Sequence, residues 1–234
     1  MNLIILDKEE IVNGKAEITG RKLRHILTYI RPSAGDTLKA GILNGLMGEG
    51  VVTGVSDRRL TLDLKLENPP PASLPLKLVL AMPRPKVLKR VIEHATSMGI
   101  KEIYIIKTWR VEKSYWESPA IDEENLKSQM IKGLEQGKDT VMPEVKIRKL
   151  FKPFVEDELP LIIKDRLALV SHPSAEGTCP HRVDSPVTLA MGPEGGFIPY
   201  EIDALRKIGF KAVSLGIRIL RVETALPFII GRLF

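Results

Sequence analysis

Apolar and polar residues follow two different patterns along the chain, and the change falls at a proline-rich segment. Before residue 68, the stretches TLKAGI, EGVVTGV and RLTLDLKL alternate or are β-branched, with Gly, Asp and Asn between them. This pattern is typical of short strands joined by tight turns. A helix over roughly residues 20–30 interrupts them, because apolar residues recur at helical spacing from Leu23 to Ile30. We therefore predict a small β-barrel over residues 1–70.

The segment NPPPASLP, residues 68–75, predicts an extended linker, because consecutive prolines cannot continue a sheet ladder. After it, strands alternate with helices, which indicates an α/β domain over residues 74–234 with a mainly parallel sheet covered on both faces. The predicted strands are 76–82, 102–107, 167–171, 187–191 and 212–216; the predicted helices cover about 86–98, 122–136, 199–208 and 224–234.

Composition limits the possible classes of protein. The chain has 234 residues, of which 44% are hydrophobic, enough for one large domain or two modest ones. The single cysteine, Cys179, excludes an internal disulfide and is expected to be an inert thiol. No stretch resembles a signal peptide or a membrane span, so we expect a soluble, cytoplasmic protein. The histidine spacings match no common zinc motif, and no metal is expected.

The net charge of +6 arises largely from an excess of basic residues over 73–118. Such a band can be an electrostatic footprint for nucleic acid, and an ordinary solvated face is the alternative. Trp109, Tyr115 and Trp116 stand among these basic residues. This combination suits stacking on RNA bases, and it equally suits a dimer or domain contact.

The loop MGPEGGF, residues 191–197, follows an apolar strand and suggests a ligand site. Its glycines permit positive φ and close approach of a ligand to the backbone. A phosphate site is disfavoured, because Gly196 is not followed by Lys and Ser/Thr and Glu194 would repel a phosphate. The loop suits a ligand without phosphate, and a cationic one in particular, read by main-chain groups. A tight structural turn is the alternative.

A second loop, LGIRILRVETA over residues 215–225, leaves the next strand at a glycine. Thr224 is predicted to cap the last helix, which would place Pro227 in its first turn. Loops at neighbouring strand ends of an α/β sheet form ligand clefts, so a cleft between these two loops is expected.

The pair GPEGG and LGxRILRxETA resembles the SPOUT methyltransferases, specifically the ribosomal small-subunit RNA methyltransferase E family. The similarity extends to LRHILTYIRPSAGD at 23–36, to the helix ending in MGI and to SHP at 171–173. The chain departs from the family pattern at Asp139, where a basic residue is usual, and at Ile198, where a serine would cap the following helix. These departures leave the exact target uridine open.

The resemblance implies a PUA-like, RNA-binding β-barrel over 1–70 and a SPOUT α/β domain with a C-terminal trefoil knot over 74–234, assembled as a homodimer. It implies S-adenosylmethionine as cofactor and nitrogen-3 of a uridine in 16S ribosomal RNA of the small subunit as the methylated atom. Two alternatives stay open: an enzyme of this fold acting on another RNA or base position, and a catalytically silent RNA-binding paralogue.

The resemblance and the chemistry of the reaction assign candidate residues. A cation would stabilise the uracil anion, with Arg221 as first candidate and Arg218 as second; pairing with Glu223 or Glu194 is the alternative for both. Glu223 and Glu194 are candidate bases, and Glu223 would also suit a helix N-terminus. Arg24, His25, Arg31, Arg84 and Arg110 are expected to contact RNA. The expected cofactor-binding residues are Val170, His172, Met191, Gly192, Glu194, Gly195, Gly196, Leu215, Gly216, Ile219, Leu220 and Thr224.

Overall fold

The computed structural model describes residues 2–234, and the chain forms two compact units. The first contains the chain up to Ala72 together with residues 130–142, and the second contains residues 73–129 and 143–234. The change of unit after Ala72 falls within the predicted linker. Residues 130–142 lie well beyond that linker in sequence, yet they cluster with the first unit.

The first unit contains a six-stranded sheet in the order β1-β4-β5-β6-β3-β2. Its β1–β4 pairing is parallel and the other pairings are antiparallel. The strands and the helix predicted from the sequence pattern are confirmed here, whereas closure into a PUA-like barrel stays a prediction. The elements are β1 Ile4–Leu6, β2 Ile11–Val12, β3 Lys15–Ile18, α1 Gly20–Tyr29, β4 Thr37–Ile42, β5 Met47–Val55 and β6 Leu60–Asn68.

The core of the first unit follows from the periodicity of its elements. Leu23 and Ile26 of α1 are buried against the sheet, where Leu60 and Leu62 of β6 alternate with exposed or half-buried residues. A separate buried cluster joins Leu134, from the segment 130–142, to Ile5 of β1 and to Leu3, which directly precedes β1. That segment therefore contributes to the hydrophobic core of the first unit.

The second unit contains a six-stranded sheet in the order β12-β10-β11-β7-β8-β9, and every pairing in it is parallel. The predicted parallel α/β architecture is confirmed. The strands are β7 Leu76–Ala81, β8 Glu102–Ile106, β9 Glu144–Arg148, β10 Leu167–Ser171, β11 Val187–Met191 and β12 Lys211–Val213. The helices are α2 Pro85–Ser97, α4 Phe151–Pro153, α5 Leu159–Ile162, α6 Pro199–Lys207 and α7 Val222–Leu233. A further helix, α3 Glu123–Gly137, begins in this unit, and its residues from 130 onward belong to the first unit. The 3-10 helices Lys113–Glu117 and Pro119–Ile121, and a π-helical turn over Phe154–Glu158, complete the connections.

The sequence pattern missed β9 and the helical segment over 151–162. β9 is an edge strand of sequence EVKIR, in which charged residues alternate with apolar ones and none is fully buried. The helical segment contains Pro153 and Pro160, which interrupt a helical signal. Phe154 and Leu159 nonetheless bury their side chains in the core of this unit.

Two boundaries near the C-terminus differ from the predictions. The last predicted strand, 212–216, ends at Val213, and Gly216 takes a φ of +114°, which a strand cannot continue. The last helix begins at Val222 with Arg221 as its N-cap, so the prediction that Thr224 caps it is wrong. Pro227 consequently lies inside the helix rather than in its first turn.

One buried carboxylate joins the end of β8 to the start of α6. Glu201 is 3% exposed and accepts hydrogen bonds from the backbone N–H groups of Trp109, at 2.7 Å, and Ile198, at 2.9 Å. Ile198 is the N-cap of α6 and has no side-chain oxygen with which to cap the helix, as the sequence predicted. Glu201 therefore compensates for the missing cap from within the helix.

None of the helices within residues 2–234 has the length and apolar character needed to cross a membrane.

We predict that Glu201→Ala lowers the free energy of unfolding by about 2 kcal/mol, because two backbone N–H groups lose a charged acceptor. Chemical denaturation followed by far-ultraviolet circular dichroism measures this. The control is Asp203→Ala, an exposed carboxylate of the same helix, which should change the stability by less than about 0.5 kcal/mol. Equal losses in the two variants would contradict the role of Glu201.

Candidate functional site

Three loops leave the sheet of the second unit at the same edge. β10 lies between β11 and β12, and Ser171 at its end is paired with Met191 on one side and Val213 on the other. The loops that follow these three strands therefore begin at one level of the sheet. This arrangement is the usual place for a ligand site in an open parallel α/β sheet.

Two adjoining cavities lie among these loops. The larger has a volume of about 200 Å³ and the smaller about 40 Å³, and both are lined by residues 171–173, Ile219, Leu220 and Ala225. The predicted cleft between the two glycine-containing loops is therefore present in the structure. The larger cavity is completed by Met191, Gly192, Pro193, Glu194, Gly196, Arg221 and Val222, and the smaller by Leu215, Gly216 and Arg218.

Most residues proposed from the sequence for cofactor binding line one of these cavities, and three do not. Val170 is fully buried in β10, Gly195 is turned toward Arg110, and Thr224 is exposed on α7. The cavity lining also includes residues that had not been assigned individually. They are Ser171, Pro173, Pro193, Val222 and Ala225, of which the first two belong to the SHP motif.

The glycines of the loop 191–197 have distinct physical roles. A Cβ added at Gly192 would lie 3.1 Å from the backbone nitrogen of Phe197 and 3.2 Å from its ring, so a side chain there would crowd the loop. Gly196 takes a φ of +70°, and a Cβ there would meet no protein atom within 4 Å. Gly196 thus borders open space in a conformation that favours glycine. The ring of Phe197 is buried in the core of the second unit and anchors the end of the loop there.

Residues from outside the loop also hold it in place. The backbone N–H of Arg84 donates to Glu194 Oε1 at 3.0 Å, and the guanidinium of Arg110 donates to the carbonyl oxygen of Gly195. Arg84 and Arg110 are also among the predicted RNA contacts, and that role stays a prediction. In the structure both residues position the loop 191–197.

The two arginines of the second loop are available to meet an anion. Arg218 and Arg221 are exposed, and neither forms an ion pair with any residue of the described chain 2–234. Glu223 instead lies 3.9 Å from a guanidinium nitrogen of Arg90, and Glu194 accepts from Arg84. The alternative in which these glutamates neutralise the two arginines is therefore absent from this structure.

His172 lines both cavities, and one of its ring nitrogens is engaged by the backbone. Its Nδ1 accepts a hydrogen bond from the backbone N–H of Ser174 at 3.2 Å. Burial lowers the pKa of the His172 imidazole, and the positive charges of Arg206 and Arg110 lower it further. Because Nδ1 is already engaged by the backbone, His172 fits a structural or ligand-contacting role.

The residues proposed for RNA binding in the first unit lie on or just after α1. The ring of His25 stacks at a tilt on Tyr29, with 4.7 Å between the ring centroids, and Tyr29 is largely exposed. Arg24 and Arg31 flank this pair in sequence. The aromatic and basic side chains on this element are compatible with the predicted RNA contact, which stays a prediction. Asp139, which replaces the usual basic residue, is buried, and it accepts from the backbone N–H of Val141.

Comparisons with known proteins identify the family. A model described as RNA methyltransferase domain matches residues 70–233. A ribosomal RNA small subunit methyltransferase E from Treponema pallidum is 32% identical over 233 residues, covering 96% of this chain and 87% of the relative. A ribosomal RNA small subunit methyltransferase E 1 from Borreliella burgdorferi is 25% identical over 228 residues, covering 96% of this chain and 94% of that protein.

Solved structures show the same fold along nearly the whole chain. A ribosomal RNA small subunit methyltransferase E from Neisseria gonorrhoeae, bound to S-adenosyl methionine, matches with a TM-score of 0.74 at 20% identity, covering 98% of this chain and 95% of that chain. A Legionella pneumophila protein solved with the cofactor SAM matches with a TM-score of 0.73 at 23% identity and the same coverage. The domain model and the Treponema relative together show that this chain belongs to the ribosomal small-subunit RNA methyltransferase E family.

Proposed function

We propose that the protein uses S-adenosylmethionine to methylate nitrogen-3 of a uridine in 16S ribosomal RNA of the small ribosomal subunit. The observation that carries this proposal is the pair of adjoining cavities among the strand-end loops, in a chain of the methyltransferase E family. The names of the relatives support the ribosomal RNA substrate, and the two solved structures with bound cofactor support the cofactor.

The residues present fit S-adenosylmethionine. Ile219, Leu220 and Ala225 supply apolar surface suited to an adenine ring, and the open space beside Gly196 admits a ligand against the backbone. Glu194 places a carboxylate in the lining, which suits the positive charge of a sulfonium. When bound, the cofactor supplies an electrophilic methyl group.

Arg221 is proposed to stabilise the negative charge that forms on uracil when the nitrogen-3 proton leaves. The resulting anion spreads onto the flanking carbonyl oxygens, and a fixed cation beside them lowers the barrier. Arg221 lines the larger cavity, and its guanidinium is not neutralised by any carboxylate within residues 2–234. Arg218 lines the smaller cavity and is the second candidate.

Glu223 is the first candidate for the general base, although it lines neither cavity. It is half-buried in the first turn of α7, two residues after Arg221, and it lies near the guanidinium of Arg90. The same position stabilises the N-terminus of the helix, so a structural contribution accompanies any catalytic one. Glu194 is the second candidate, although the N–H of Arg84 already occupies one of its oxygens.

We further propose the homodimer, the C-terminal trefoil knot and the PUA-like, RNA-binding barrel of the first unit. The exposed apolar side chains of Ile217, Ile219 and Phe228, close to the cavities in sequence, support a covering second copy. The packing of α7 against α2 and its backbone hydrogen bonds with residues 182–183 support a C-terminus threaded against the preceding loop. A cytoplasmic location follows from the proposed ribosomal substrate.

We expect Gly196→Val to abolish binding of S-adenosylmethionine, because the new side chain would fill space beside the cavity. Isothermal titration calorimetry measures the affinity. The matched control is Gly14→Val, which has nearly the same φ, +75°, with open space around its Cβ, but lies outside both cavities. Both variants should lose similar stability, and only Gly196→Val should lose the cofactor; normal affinity in folded Gly196→Val would refute the site.

We expect Arg221→Ala to slow single-turnover methyl transfer by roughly 10²–10³-fold while leaving cofactor affinity nearly unchanged. The measurement uses saturating cofactor and small subunits from a strain that lacks this gene. Lys207→Ala removes an exposed cation of α6 outside both cavities and should leave the rate unchanged. An unaltered rate in folded Arg221→Ala would exclude the proposed charge stabilisation.

We expect small subunits from the deletion strain to be methylated efficiently and protein-free 16S RNA poorly. The basic excess lies mainly within residues 73–118, so affinity for naked RNA should be weak and salt-sensitive, and a shaped target should be preferred. Nucleoside mass spectrometry should identify the product as 3-methyluridine. Equal rates on both substrates would reject the preference for the assembled subunit, and label on another base or on transfer RNA would reject the proposed substrate.

A further inference from the structure

A second open groove lies in the second unit, apart from the two cavities. It has a volume of about 370 Å³ and is formed where β8 and β9 end and α6 begins. This volume lies near the lower end of the range for small-ligand pockets, about 300–1,000 Å³. The groove is therefore large enough to receive one flat ring system and its attached sugar.

Exposed aromatic and aliphatic side chains form much of the groove. Trp109 is 80% exposed, Tyr200 is 56% exposed and Leu150 is 69% exposed. Large apolar side chains grouped on a surface mark an interaction site more often than isolated ones do. Two of the three are aromatic, which suits stacking against another flat ring.

The aromatic side chains stand on a fixed frame. The buried carboxylate of Glu201 accepts from the N–H of Trp109 and from the N–H of Ile198. It therefore links the backbone of Trp109 to the start of α6, the helix that carries Tyr200. The ring of Tyr200 also lies 6.5 Å from that of Phe151, measured between centroids. A ligand would therefore meet two rings whose backbones are already positioned.

The groove is also cationic. Lys107, Lys149 and Lys152 line it, and within the described residues neither Lys107 nor Lys149 forms an ion pair. The acidic residue in the lining, Glu201, is 3% exposed and has both oxygens engaged by backbone N–H groups. Lysines around exposed aromatic rings are the combination with which proteins hold single-stranded nucleic acid, through phosphate contacts and base stacking.

The groove lies next to the proposed cofactor site along the chain. Gly196 lines the larger cavity and Ile198, two residues later, lines the groove. An RNA strand that delivers a base to the cavity would thus have a binding surface for neighbouring nucleotides on the other side of the same loop.

We infer that this groove binds single-stranded RNA beside the target uridine, with Trp109 and Tyr200 stacking on unpaired bases and the lysines contacting phosphates. The inference rests on the proposed function for its substrate. A second copy of the chain that docked through this same groove would cover the apolar side chains. It would bring no free carboxylate to Lys107 and Lys149, because the acidic residue of the groove, Glu201, is already engaged by backbone N–H groups. The charge of the groove therefore favours RNA as its occupant.

Tryptophan fluorescence tests the contact directly. The chain has two tryptophans, and the indole nitrogen of Trp116 is buried, so Trp109 is the exposed reporter. Titration with a single-stranded uridine hexamer at low salt should quench the fluorescence of the wild-type protein, and Trp109→Phe should remove that quenching.

Anisotropy of a labelled uridine hexamer then measures affinity. Trp109→Ala should weaken binding roughly tenfold, Trp109→Phe should weaken it much less because an aromatic ring remains, and Lys149→Gln should reduce the slope of log affinity against log salt by about 0.7. The matched control is Leu161→Ala, which truncates an exposed apolar side chain outside the groove and should leave binding unchanged. With small subunits as substrate, Trp109→Ala should raise KM roughly tenfold, with the loss falling on KM rather than kcat.

Unchanged hexamer affinity in Trp109→Ala, or no quenching of the wild-type protein, would overturn the inference. Light scattering that shows Trp109→Ala to be a monomer while the wild-type protein is a dimer would assign the groove to a second copy and overturn it as well. Methyl transfer to small subunits by the same wild-type preparation separates the two proposals. Transfer without quenching rejects the groove alone, and quenching without transfer rejects the proposed function alone.

Discussion

The parallel register of β10 with its two neighbours is the constraint on which the rest of the site depends. Ser171 is paired with both Met191 and Val213, so the three strands end together and their loops share one edge. β11 is buried along its whole length and β10 along its three central residues, so a shift of one residue in either pairing would disrupt close packing on both faces of the sheet. The position of the cavities is therefore set by the packing of the sheet rather than by contacts among the loops.

Given that edge, the loop after β11 is held in one conformation by its own residues and by its neighbours. Phe197 anchors it in the core, Gly192 lets it fold closely on itself, and Arg84 and Arg110 hold its outer side. A loop that is ordered before its ligand arrives loses less conformational entropy on binding. The arginines of the next loop differ, because they are exposed and form no ion pair within residues 2–234, so their charges are available for an anion.

The sequence predicted those features that depend on neighbours along the chain. The strands at 167–171 and 187–191 could be read from short apolar runs, and the cleft from the glycines in the loops 191–197 and 215–225. The start of α7 could not be predicted correctly, because Arg221 caps it through an extended backbone, with φ −68° and ψ 153°, and not through a side-chain oxygen. The role of Glu201 was also inaccessible, since its partner Trp109 lies 92 residues away in sequence. Contacts of that range depend on the tertiary fold, which local periodicity does not encode.

The division of the first unit into two stretches of sequence has a consequence for synthesis of the protein. Leu3 and Ile5 complete their buried cluster with Leu134, and Asn44 accepts from the backbone N–H of Met142. During translation, the strands of the first unit leave the ribosome long before residues 130–142 do, although domains commonly fold as soon as their chain is complete. The N-terminal unit must therefore wait, with part of its apolar surface uncovered, until more than half of the chain has been made. A gene fragment that stops at the proline-rich linker would encode a unit that lacks part of its own core.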